Sequence, residues 1–158
     1  MLELDIFSAF ERFKEHLPTG GDMTLMILKG HLLIEEQVAF LIKNRIPKPD
    51  ALKEIDLTSH QQICLAEALI EEISLDGNDL WLWPAIKKLN KLRNDIAHNL
   101  SRPGIEDRIA NFINRVPNKM ESGNLCHDFE YAIWVVFAEV HLRITPPDPS
   151  GYEMRPND

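Results

Sequence analysis

The chain has 158 residues, 44% hydrophobic and 27% charged, which suits one domain with a single core and excludes wholesale disorder. Its formal net charge of −8 argues against a protein that grips nucleic acid through a broad basic surface, because such affinity comes from Lys and Arg neutralising phosphates. The two cysteines, Cys64 and Cys126, form no CxxC pair, and the longest strongly apolar run (133–138) falls far below the ~20 residues a bilayer span needs.

Glu3, Asp5, Glu11 and Arg12 interrupt the start, so no secretory leader is read at Met1 and a cytoplasmic, reduced protein is expected. Leu2, Ile6, Phe10, Phe13 and Leu17 recur at steps of three and four, which predicts a first helix with one buried stripe. A break over 18–22 offers Thr19 or Asp22 as N-cap of a second, long helix over about 23–45. Its expected stripe is Leu25, Leu28, Leu32, Glu35, Ala39, Ile42 and Ile46, and Pro47 and Pro49 end it.

Ser59-His60-Gln61-Gln62 has the Ser-x-x-Gln form of a capping box and predicts a third helix through Ile63, Ala66 and Ile70 to about Ile73. A turn over 76–79 precedes a fourth helix, from about Leu80 or Pro84 to Asn99, with Pro84 tolerable only in the first turn. Pro103-Gly104 separates a fifth, carrying Ile105, Ile109, Phe112 and Val116 before Pro117. The last helix, about 125–144, is apolar almost all round and is therefore central in the core or shared with a partner chain. Pro and Asp enrich the sequence from Thr145 onward, which predicts a poorly ordered tail. The expected fold is an all-α bundle of five or six helices, one domain over 1–144 followed by a tail over 145–158.

One segment speaks of chemistry: Leu89-Asn90-Lys91-Leu92-Arg93-Asn94-Asp95-Ile96-Ala97-His98. Leu89, Leu92 and Ile96 face the core at helical spacing, while Asn94 and His98, four apart, stack on one side. Arg93 and His98 are five apart, roughly 140° round the helix, so one straight helix does not present both to one phosphate. The site needs either an unwound helix end near Asn99 or a second copy of the helix from a partner subunit, and a symmetric dimer with two such segments facing each other supplies the latter. Arginine pairs its planar fork with phosphate oxygens, and an imidazole exchanges a proton near neutral pH. With Asn94 orienting them, these groups could cleave RNA without a metal by attack of the neighbouring 2′-OH. Lys87, Lys88 and Lys91 supply a local basic patch for RNA contact, against the plainer reading of a solvated helix face.

The bare spacing is common in a chain of this composition; the surrounding string carries more. Leu-x2-Leu-Arg-Asn-Asp-Ile-Ala-His late in a helical chain resembles the Arg-x4–6-His motif of HEPN domains. The upstream Gly30-His31-Leu32-Leu33-Ile34-Glu35-Glu36 is similar to HEPN-like chains, including the mannitol-repressor-like group. The resemblance covers about residues 20–144. It implies an all-α bundle that dimerises through the motif region, and a metal-independent endoribonuclease of toxin or defence type, with Arg93, His98 and Asn94 as the site. It also implies an antitoxin or regulatory protein as a possible partner. Other HEPN-like proteins are non-catalytic regulatory or interaction modules, which is the alternative here.

Glu35 on the expected stripe, with Glu36 beside it, calls for a cationic partner, with Arg93 the candidate, against the plainer reading that at least one of the two carboxylates is exposed to solvent. Asp95 is a further supporting residue. His31 and Glu35, or Asp95 and His98, have a ligand-like spacing but lack the further ligands of a metal centre, so neither metal nor cofactor is expected. Trp81 and Trp83 could stack on bases, though core packing is the simpler reading. Cys126-His127 has no support as a nucleophile pair.

Overall fold

The computed structural model describes residues 6–17, 22–71, 80–98 and 103–145, and all regular structure among them is helical. In chain order come α1 (Ile6–His16), α2 (Met23–Arg45), a 3₁₀ turn (Pro49–Glu54), α3 (Ser59–Leu69), α4 (Leu82–His98), α5 (Ile105–Ile113) and α6 (Leu125–Ile144). The all-α bundle agrees with the sequence. The 3₁₀ turn is an addition, and Pro49 at its first position supplies the fixed φ that starts it. Leu2, Thr19, the turn over 76–79, Asn99 and the tail beyond Thr145 lie outside the described residues.

Side chains cap the N-termini of α2, α3 and α6. The Asp22 carboxylate accepts the Leu25 amide at 3.1 Å and starts α2. Asn124 accepts from the amides of Cys126 and His127 and starts α6. At α3 the capping box falls one residue earlier than expected. Thr58 Oγ1 accepts the Gln61 amide at 3.2 Å while Gln61 Oε1 accepts the Thr58 amide at 2.9 Å. That shift frees the Ser59 hydroxyl for another partner. The helix closes at Leu69 rather than near Ile73.

α2 and α6 form the most extensively packed pair. Gly30 permits their approach, since a Cβ there would lie 3.3 Å from Ile133 Cγ1 and Cδ1. Phe129, Ile133, Val136, Phe137 and Val140 of α6 are buried, so its all-round apolarity reflects a central position in the core. α1 runs parallel to α6, with Phe10 edge-on to Trp134 (centroids 4.6 Å apart) and Phe13 against Phe137 (5.4 Å). α3 and α4 pack on another flank of α2, and α5 joins α4 to α6. Trp83 is buried and Trp81 is partly buried against the same core, so the simpler reading of both indoles holds.

The buried face of α2 corrects the expected stripe. Of the expected stripe Ile42 is buried and Leu28 and Ile46 are partly buried, but Leu25 and Leu32 are 38% and 59% exposed and Ala39 is exposed, whereas Met26, Ile27, Leu33, Ile34, Val38 and Leu41 are buried. The core face is turned by roughly 140° from the expected one. Apolar side chains surround α2 on nearly every side, so its periodicity is degenerate. The true core face also carries the polar residues His31 and Gln37. Among the described residues, no helix is long and apolar enough to cross a membrane.

Candidate functional site

α4 carries the motif, and its register follows from Leu82, Ile86, Leu89, Leu92 and Ile96, all buried. Pro84 sits in the first turn, where the missing amide costs nothing. Arg93 follows Ile86 by seven residues, two turns along, and therefore lies on the flank that faces α2. Its side chain is partly buried and its Nη1 donates to Asn94 Oδ1 at 2.9 Å. His98 ends the helix and is exposed.

α2 and α4 run antiparallel, as His31 meets Asn90 while Ile34 and Val38 share a cavity wall with Ile86. The N-terminal half of α2 therefore lies beside the motif half of α4. On that seam sits a polar cluster whose inner members, His31 and Asn90, are buried and whose outer members, Glu35 and Ser59, are partly exposed. His31 Nε2 lies 3.1 Å from Asn90 Oδ1, and His31 Nδ1 lies 3.7 Å from Glu35 Oε2. Glu35 also accepts the Ser59 hydroxyl at 2.7 Å, which fixes the start of α3 against α2.

Burial is the largest influence on the His31 imidazole and holds its pKa below the ordinary value. The Glu35 carboxylate opposes that effect, the nearby Arg93 charge reinforces it, and the Asn90 hydrogen bond opposes it. Arg93 thus acts electrostatically on this cluster. The expected Glu35–Arg93 pair is not among the ion pairs of the described residues; Ser59 and His31 take its place beside the carboxylate.

The other candidates diverge. Glu36 points to the opposite flank of α2 and pairs with Arg12 of α1 at 2.5 Å. Asp95 pairs with Arg108 of α5, tying those helices together. Lys87 pairs with Glu67 of α3 at 2.5 Å, Lys88 is partly buried, and Lys91 is exposed. Of the basic patch, Lys91 is the residue most open to a ligand. Cys126 is partly buried at the α6 N-terminus and Cys64 is exposed. A cavity of about 630 Å3 between α1 and α6, lined by Phe10, Tyr131 and Trp134, lies away from the motif. Another, of about 330 Å3, lies among α2, the 3₁₀ turn and α3.

Asn90 is the residue that reading along the chain did not single out. It falls three positions before Arg93 on a core-facing flank, and a polar residue at such a position needs a buried partner. His31 stands in the sequence as part of the string over 30–36 and at a ligand-like spacing from Glu35, neither of which points to Asn90. No family model matches the chain, and no curated protein and no solved structure is significantly similar to it.

Proposed function

We propose that the chain is a HEPN-like, homodimeric, metal-independent endoribonuclease of toxin or defence type that cleaves single-stranded RNA. The observation that carries the reading is the hydrogen bond from Arg93 to Asn94 on the last turns of α4, with His98 exposed one turn beyond. Asn94 holds the guanidinium, and the guanidinium neutralises the scissile phosphate. His98 takes the 2′-OH proton as the 2′ oxygen attacks phosphorus. The P–O5′ bond breaks, and the leaving oxygen takes a proton from the second imidazole, leaving a 2′,3′-cyclic phosphate and a 5′-OH.

The second imidazole comes from the second subunit. Arg93 and His98 lie roughly 140° apart round one ideal helix, and a second copy of α4 brings a guanidinium and an imidazole to one phosphate. Leu25, Leu28 and Leu32, exposed or partly exposed on the half of α2 that flanks the motif, supply apolar surface for that copy.

The rival reading is a non-catalytic regulatory or interaction module of the same fold. The ion pairs of Lys87 and Asp95 and the charge of −8 favour it, because they leave little basic surface for RNA. A cleavage assay in EDTA on the wild type and His98→Ala separates the two. Cleavage by the wild type that is lost in the variant supports the nuclease. Equal cleavage by both, or none by the wild type on any RNA, removes it.

A further inference from the structure

Beyond the nuclease reading, and independent of it, the polar groups around buried His31 carry an inference of their own. We propose that His31, Glu35, Ser59 and Gln62 enclose a binding site for a single water that bridges His31 Nδ1 to the Glu35 carboxylate. The imidazole is 3% exposed, and among the described residues its Nδ1 has no hydrogen-bond partner. These four residues, with Ile34, Val38, Ile63 and Ile86, line a small pocket of about 10 Å3. A water needs roughly 10–15 Å3 on that measure and two to four polar partners.

The donor and acceptor balance identifies the occupant. Asn90 Oδ1 accepts from Nε2, so the imidazole hydrogen sits on Nε2 and Nδ1 presents a lone pair. The nearest charged group to that lone pair is a carboxylate oxygen at 3.7 Å, another acceptor and too distant for a direct bond. Two acceptors facing one small space require a molecule that donates twice. Water does so, giving one hydrogen to Nδ1 and one to the carboxylate. Gln62 completes the site: its Nε2 donates one hydrogen to Leu57 O at 3.4 Å and keeps a second. Ser59 Oγ already donates to the other carboxylate oxygen, which orients it. The water thereby ties α2 to α3.

Nitrogen-15 NMR of the wild-type protein tests this. The expected result is a His31 ring protonated at Nε2, an Nδ1 shift of a hydrogen-bond acceptor, and a cross-peak between water and the His31 Hε1 proton. A proton on Nδ1, or an Hε1 with no water cross-peak, would overturn the proposal. In Gln62→Leu, which removes the third partner and fills the space, the water cross-peak is expected to vanish while Nε2 stays protonated. Its persistence at full intensity would place the water elsewhere and overturn the assignment of this site.

Discussion

His31 and Asn90, 59 positions apart in sequence, meet inside the core with Nε2 and Oδ1 3.1 Å apart. The two side chains are 3% and 5% exposed, so neither finds a substitute partner in solvent. Asn90→Ala should lower unfolding stability by about 1–3 kcal/mol, since it strands the imidazole as well as removing a bond. Urea denaturation measures it. A cycle with His31→Leu should return a coupling of at least about 0.5 kcal/mol, and additivity would show that the contact contributes nothing to stability.

The same imidazole gives stability a pH dependence of definite sign. Burial lowers the folded-state pKa of His31 below 6.5, with Arg93 acting in the same direction and Glu35 and Asn90 against it. The unfolded chain therefore binds a proton first as pH falls. The contribution of neutral His31 is fully present above about pH 6.5 and is lost as pH drops from there toward the folded pKa. Relative to His31→Gln, the wild type should lose up to about 1.4 kcal/mol per pH unit in that window. Denaturation midpoints compared at pH 7.5 and 5.5 check it, and parallel curves for the two proteins would remove His31 as the source.

How far the sequence reveals this fold depends on the range of each signal. The bounds of α2 are legible because Asp22 and Pro47 act within a few residues. The buried face of α2 is not, because Leu25, Leu28 and Leu32 compete with Met26, Ile27, Leu33 and Ile34 as equally apolar stripes. The residues that break the tie are polar. His31 and Gln37 belong inside only because Asn90 and His141, 59 and 104 positions away, receive them. The motif on α4 is legible as a string, but a string does not reveal that Asp95 and Lys87 are taken up by Arg108 and Glu67.

Gly30 tests the closest approach of α2 to α6. A methyl group there gains up to about 1 kcal/mol of helix propensity. It also lands 3.3 Å from two carbons of Ile133, a side chain with no exposed surface, and such overpacking costs about 1–3 kcal/mol. Gly30→Ala is therefore expected to be net destabilising, by thermal or urea denaturation. In an Ile133→Val background, which lacks Cδ1, the same change should cost less or turn favourable. An equal cost in both backgrounds would mean that Cδ1 of Ile133 is not the obstacle.

Activity and stability should part company along α4. His98 is exposed and makes no ion pair among the described residues, so His98→Ala should shift stability by no more than about 0.5 kcal/mol. General acid–base catalysis is worth typically 10²–10⁴-fold, and cleavage should fall by about that factor if the nuclease reading is right. Arg93→Lys keeps the charge and loses the planar fork, so it should also cut poorly. Asn94→Ala releases the guanidinium from its 2.9 Å bond and should slow cleavage less than either. Asp95→Asn is the contrasting case: it breaks the pair with Arg108, so its cost should appear as about 1–3 kcal/mol of stability with the per-molecule cleavage rate preserved. If instead Asp95→Asn abolished cleavage at full stability while His98→Ala cleaved normally, the chemistry would lie on the α5 side of the helix rather than at its exposed end.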